Sequence, residues 1–220
     1  MYKIILTVVF GAISLLTPMS VQAADLDLGE THHLVFMREE EKLARDVYLT
    51  LMDMYPDEQA FSNIGEGSEQ THTDTVRDML AKHSIPDPNP DANDLPGSIG
   101  VYTGAEYGWY FTEKYDELVN WGARSSLDAL YVGAFIEELD MLDIVGCPTV
   151  IVETDNGIGP GECGLEYTDK KSLKNMYTSL VEGSKDHLRA YVKNIENYIG
   201  EGEYKAQILT QEEVDAILGR

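Results

Sequence analysis

Ser68-Glu69-Gln70-Thr71-His72-Thr73-Asp74-Thr75-Val76 is the stretch on which the reading of this chain turns. On a helix, residues three apart share a face, so Glu69 and His72 project from one side, one above the other. Ile64 and Val76 lie on roughly that side, and Met79 and Leu80 extend it. A carboxylate and an imidazole thus point toward a core. Isolated charges are costly to bury, so such groups are paired or bound to a metal. The spacing alone is common by chance, and its meaning depends on what the other helices bring to it.

Four long stretches carry apolar residues at helical spacing. The first covers residues 33–54, with Phe36, Met37, Leu43, Ala44, Val47 and Leu51. Glu40 falls inside that stripe, Glu39 and Glu41 flank it, and Arg38, Lys42 and Arg45 line a more polar face. Pro56 ends it. Asp57 is placed to cap the second, which runs through Phe61, Ile64, Glu69, His72, Val76 and Met79 to about His83, and Gly65 and Gly67 predict an irregular start. The third, capped by Ser125 or Ser126, runs to about Val145; Leu127, Leu130, Ala134, Met141 and Ile144 form its stripe, with Glu137 in line and Asp140 one turn on. The fourth begins near Thr168 or Asp169 and carries Leu173, Tyr177, Leu180, Leu188, Tyr191 and Ile195, with Ser184 and His187 among them. A shorter helix is opened by Thr112 and closed before Gly122, and Thr210 with Glu213 makes a capping-box pattern near the end of the chain.

The connections are also legible. Residues 84–100 contain four prolines. Asp87, Asn89, Asp91 and Asn93 alternate there as in a calcium loop. Ala92, however, stands where glycine is needed and Ser98 where a bidentate glutamate belongs, so the stretch reads as a rigid connection. Residues 146–167 are glycine-rich and contain both cysteines, with a brief strand at 149–152 as an option. Together these features predict an all-α fold: a four-helix bundle with a long crossover connection and a short C-terminal helix. Residues 24–204 would form the bundle and 205–220 a tail with the short helix.

Residues 1–23 read as a secretory signal, with Lys3 in the n-region, an apolar run from Ile4 to Leu16, and Val21-Gln22-Ala23 before the cleavage point. The run is short for a membrane span, so no stable anchor is expected after cleavage, and the destination is the periplasm or the exterior. There Cys147 and Cys163 are expected to form a disulfide, which stabilises a loop of this length by about 3 kcal/mol in the chain-entropy model. The net charge is −23, from 16 basic and 39 acidic residues. That excludes nucleic acid as a partner and favours cations. No P-loop, dinucleotide fingerprint or serine elbow is present.

The ionisable residues on the apolar stripes are Glu40, Glu69, His72, Glu137, Asp140 and His187. Four carboxylates and two imidazoles equal the donor set of a di-iron or di-manganese centre in a helical bundle, and this donor set suits iron or manganese better than copper or zinc. Glu41 and Glu138 are the replacements for Glu40 and Glu137 if a helix is rotated. REEEKLARDVY (Arg38–Tyr48), SEQTHTDTV (Ser68–Val76), ALYVGAFIEELDMLD (Ala129–Asp143) and GSKDHLRAY (Gly183–Tyr191) resemble an uncharacterised domain family of the ferritin-like superfamily over most of residues 33–199. The resemblance implies a ferritin-like bundle and little about activity. The fourth helix departs from the wider pattern, because Ser184 stands where Glu-x-x-His has its glutamate. Asp140 is the expected substitute.

The functional expectation is an exported metal-dependent redox protein open to dioxygen or peroxide, with Tyr48, Tyr131, Tyr177 and Tyr191 as neighbours of the site or packing residues. Metal binding without turnover, for storage or sensing, and a metal-free helical scaffold are the rivals. Storage of the ferritin kind would require a homo-oligomeric shell.

Overall fold

A computed structural model describes residues 26–154 and 156–220 of the chain. The signal-peptide assignment to residues 1–23 lies outside the described residues. The described residues are helical, with no strand among them. Helix α1 spans Leu28–Met54, α2 Gln59–Ser62, a π-helical segment (π1) Asn63–Glu69, α3 Gln70–Lys82, α4 Gly108–Gly122, α5 Ser126–Val145, α6 Thr149–Glu153, α7 Lys171–Ile199 and α8 Gln211–Leu218. No described helix is long and apolar enough to cross a membrane.

Local chemistry sets most of the ends. Asp27 caps α1 through the Glu30 amide, and Glu30 reaches back to the Asp27 amide, so two orphan donors are satisfied reciprocally. This cap starts α1 earlier than its apolar stripe does. Ser125 caps α5 and Thr210 with Glu213 forms the expected box at α8. Gly65 and Gly67 fall in π1, so the irregular start expected of the second long helix is a stretch of widened turns. Residues 149–152, an optional strand by sequence, lie in the short helix α6. Cys147 and Cys163 are joined by a disulfide, closing the loop that holds α6.

α5 packs along α7, and Gly133 explains how closely: a Cβ there would stand 2.4 Å from the Tyr191 ring. α1 packs against π1, α3, α4 and α5 and has almost no solvent face. Arg38, Lys42 and Arg45, which the sequence places on a polar face, are all buried beneath residues 83–107. Their i, i+4, i+7 spacing lines them along one side of the helix. Arg38 donates to Asp87 (2.9 Å) and to the carbonyls of Thr73 and Asn89. Arg45 donates to Asp46 and the Ala92 carbonyl. Lys42 donates to Asp46 and to the Ser98 carbonyl, and lies 4.3 Å from the centre of the Tyr102 ring. The connection between α3 and α4 is therefore rigid because it supplies carbonyls to three buried cations. Asp87 and Asn89, two members of the calcium-like alternation, are occupied by Arg38, Glu39 and the Thr103 amide.

Residues 205–220 are tied to α5. Glu138 Oε2 accepts from the successive amides of Gln207, Ile208 and Leu209 at 2.7–3.0 Å, Glu138 Oε1 accepts from the Tyr204 hydroxyl at 2.6 Å, and Val214 is buried. Successive amides converging on one oxygen form an anion-binding nest, and this one anchors the C-terminal segment to α5.

The buried cations give a direct test. Asp46 is the shared carboxylate for Lys42 and Arg45, so Asp46→Ala leaves two buried positive charges short of a partner. The expected loss is about 3–5 kcal/mol in urea unfolding at pH 7. Glu182→Ala, which breaks the exposed pair with Lys185 on α7, is expected to cost at most about 1 kcal/mol in the same assay.

Candidate metal centre

Glu69 is the last residue of π1 and His72 lies in the first turn of α3, so a single run of helix carries both. His187 comes from α7. One ligand atom from each of Glu69, His72 and His187 lies within 4.8 Å of the others. Glu69 stands between the two rings: its Oε1 is 2.8 Å from His187 Nδ1 and its Oε2 3.5 Å from His72 Nδ1. Each imidazole has a second carboxylate. His72 Nδ1 is 3.3 Å from Glu41 Oε2, and His187 Nδ1 is 3.3 Å from Glu137 Oε2. The two rings lie 5.3 Å apart, centre to centre.

Neighbouring side chains orient these groups. The Tyr48 hydroxyl donates to Glu137 Oε1 at 2.6 Å. Ser68 Oγ lies 2.7 Å from His187 Nε2, which turns Nδ1 inward. The Ser184 hydroxyl donates to Asp140 Oδ2 at 2.5 Å, leaving Asp140 Oδ1 without a partner. Gly183 makes room for His72, because a Cβ there would stand 2.5 Å from its Cε1 and Nε2.

The close approaches are ion-pair contacts. Glu41 Oε1, Glu69 Oε2, His72 Nδ1, Asp140 Oδ1 and His187 Nδ1 are buried with no hydrogen-bond partner. One ligand atom from each of Glu69, His72 and His187 lies near enough to the other two to share a cation. The donor set is hard oxygen with imidazole nitrogen, which fits iron or manganese.

Electrostatics follow from burial and crowding. Burial works against charge on His72, but Glu69 and Glu41 override it and push its pKa up to about 12. Burial likewise opposes charge on His187, and Glu137 and Glu69 push it up to about 11. Glu69 is held well below the usual carboxylate range despite burial, by the two imidazoles. Burial raises Glu41 to about 7, with His72 opposing. Burial also raises Glu137, again with a histidine, His187, opposing, and raises Asp140, where Glu41 and Glu137 add repulsion.

Five of the six residues singled out by sequence therefore converge: Glu69, His72, Glu137 and His187 directly, with Asp140 against them. Glu40 does not face the imidazoles. Its carboxyl lies against Asp143 and lines a separate cavity, and Glu41 takes the position expected of it. The reason is that α1 is covered on all sides, so its apolar stripe does not mark one inward face. Glu41 and Tyr48, seven residues apart, mark the side that meets the cluster. Glu138 is the C-terminal anchor and does not replace Glu137. Tyr48 and Tyr191 border the cluster with rings 5.3 Å apart, whereas Tyr177 pairs with His33 and Tyr131 stacks on Tyr204. Ser68 and Gly183 carry no chemical signature in the sequence.

The described residues thus form an all-helical structure with a buried carboxylate–imidazole cluster. Residues 30–220 match the family described as "Uncharacterized protein domain (DUF2202)", and the chain belongs to that family. It is 41% identical over 189 residues to an uncharacterised protein of Methanocaldococcus jannaschii, covering 86% of each chain. It also resembles the crystal structure of a hypothetical protein from Methanococcus jannaschii, with a TM-score of 0.73 and 38% identity over 91% of this chain and 98% of that one.

The imidazoles predict a pH signature for chelator-stripped protein. Both have folded-state pKa values above the ordinary 6.5, so the folded chain holds their protons more tightly than the unfolded chain. Their contribution is complete below pH 6.5 and is lost as pH rises toward 11. Urea midpoints of the stripped protein should therefore fall between pH 7 and pH 9, and the fall should be shallower in His187→Gln.

Proposed function

We propose that the chain is a ferritin-like four-helix metal protein in which Glu41, Glu69, His72, Glu137, Asp140 and His187 hold two iron or manganese ions. The observation that carries this reading is the group formed by Glu69, His72 and His187, whose ligand atoms lie within 4.8 Å of one another, with Glu41 and Glu137 each 3.3 Å from one of the imidazoles. The distances divide the donors into two half-sites. His72 and Glu41 form one, His187 and Glu137 the other, and Glu69 offers one oxygen to each. Glu69 is therefore placed to be shared between the two, and Asp140, held by Ser184, would supply the carboxylate that α7 lacks at Ser184.

When bound, a pair of such ions supplies electron transfer to dioxygen or peroxide, the substrates this reading assigns. The chain's own residues do the rest. Ser68 fixes the His187 ring with Nδ1 inward, Tyr48 holds Glu137, and the apolar packing around the cluster limits water. In the metal-free protein burial raises the Glu41 carboxyl and His72 opposes it, so this group can give up a proton as a cation enters. Export from the cell belongs to the same reading; the disulfide supports it.

The test is elemental analysis of protein produced with iron or manganese and purified without chelator. About two ions per chain are expected. Less than roughly 0.1 equivalent, with none taken up on reconstitution, sinks the reading. Loading at pH 7 should release protons, because both imidazoles are charged before a metal displaces the proton. Calorimetry in buffers of different ionisation enthalpy measures that number. Gly183→Ala, which pushes on the His72 ring, should weaken metal binding about 10–100-fold with little change in helicity. Oxygen or peroxide consumption by the loaded protein separates a redox role from storage.

A further inference from the structure

The seam between α4 and α5 has a projecting ring at one end and a hollow at the other. The projection is Trp109, which is 61% exposed. Its indole N–H donates to the Glu106 carbonyl at 3.0 Å, and its ring stands edge-on to Tyr110 at 5.9 Å between centres. The ring is therefore held in place with its polar atom already engaged, and what it offers outward is apolar. Leu142, 49% exposed, lies beside it along a cavity of about 360 Å³. The hollow is a second cavity, of about 340 Å³, walled in part by Trp121 and Phe135, whose rings meet at 5.7 Å. Tyr110 and Leu139 line both spaces, so they form one groove.

Size, charge and symmetry together select an occupant. An apolar cavity of about 150 Å³ holds one benzene, so the hollow has room for an indole ring. Fixed, exposed tryptophans are the side chains that most often dominate binding energy at protein interfaces. The net charge of −23 sets copies of this chain against one another over most of their surfaces. Along the seam that repulsion is reduced, because Glu40 is buried against Asp143 and Glu117 pairs with Lys114 at 2.6 Å. Trp109 and Trp121 both belong to α4 and stand about 18 Å apart along it. A twofold axis through the middle of α4 brings each projection over the other copy's hollow, so the contact forms twice and closes. A different protein would need a matching ring and a matching hollow of its own, whereas this chain carries both on one face. At 1.5 Å per residue α4 is about 22 Å long and α5 about 30 Å, and side by side they present a strip about 20 Å wide. That gives roughly 1,000 Å² buried between two copies, the lower bound for a specific interface.

We propose that the α4–α5 seam is the interface of a twofold homodimer, in which Trp109 of each copy enters the hollow beside Trp121 and Phe135 of the other. The modest area makes it a dimer of about micromolar affinity. It forms with or without metal, since no residue of the cluster takes part.

The experiment is sedimentation equilibrium of the full-length protein between about 1 and 200 μM, a range set to bracket micromolar association. A monomer–dimer equilibrium is expected. Trp109→Ala should weaken it roughly a thousandfold, because the loss is felt at two anchoring contacts. Leu139→Trp, which fills the groove from a half-buried position, should weaken it about as much. Mixing the two variants is the decisive arm. The first keeps its hollow and the second keeps its projecting ring, so a mixed dimer regains one of the two contacts. It should form about thirtyfold more tightly than either variant associates with itself, the square root of the full effect. A wild type that stays monomeric, alone or with another protein bound at the seam, overturns the proposal. So does a dimer that Trp109→Ala leaves unchanged, or a mixture no tighter than its components. Circular dichroism checks the fold of each variant. If Leu139→Trp does not fold, the wild-type mass and the Trp109→Ala result decide.

Discussion

The arrangement of Glu69 between His72 and His187 is the interaction on which the centre of this molecule depends. A carboxylate and an imidazolium at about 4 Å attract by roughly 4 kcal/mol at the effective dielectric of such sites. That attraction is what keeps Glu69 ionised when burial favours its neutral form. It cannot serve the whole cluster. Glu41, Glu137 and Asp140 share the same dry space, and two imidazolium charges do not balance four carboxylates. The remaining acids are pushed toward protonation by burial and by one another. A pocket that holds its acids partly protonated and its imidazoles charged is a set of ligands occupied by protons. The excess of carboxylate over imidazolium here matches the acidity of the whole chain.

The centre can be dry because α1 is enclosed. One side faces the cluster through Glu41 and Tyr48. A second packs on α4, where Phe36 meets Phe111 at 4.9 Å. A third carries Arg38, Lys42 and Arg45 under the α3–α4 connection. Three buried cations and the acid cluster thus lie on different sides of one helix. The cations are satisfied by Asp46, Asp87 and backbone carbonyls, so they do not neutralise the acids across the helix. Segregation of this kind preserves the excess of acid over base at the centre.

Much of this was legible in the sequence, for physical reasons that differ by element. α5 and α8 announce themselves by their caps, and α7 by its stripe. The Glu69–His72 pair is readable because its spacing is local, and His187 because it stands alone among apolar neighbours. The failure at Glu40 is instructive. Periodicity identifies an inward face only when the opposite face meets water. On α1 three successive glutamates are all buried, each against a different surface, and their apolar context is the same. The buried Arg38, Lys42 and Arg45 were misread for the same reason, since their cover is a loop far along the chain. Ser68 and Gly183 act through position alone: the first by accepting one hydrogen bond, the second by lacking a Cβ.

With glutamate at position 184, α7 would supply a carboxylate and an imidazole one turn apart, mirroring Glu69 and His72. Here α7 supplies the imidazole and a serine hydroxyl, and α5 carries both Glu137 and Asp140 on one face. Aspartate is one methylene shorter, and Asp140 stays in reach because Ser184 grips its outer oxygen. The two half-sites are therefore unequal. The one at His72 takes Glu41 from α1, whereas the one at His187 takes Glu137, itself held by Tyr48. Inequality of this kind gives the two positions different basicity and different freedom to rearrange. The carboxylates set by hydrogen bonds from Tyr48 and Ser184 are the fixed members. Glu41 is held by no such hydroxyl and meets only the His72 ring.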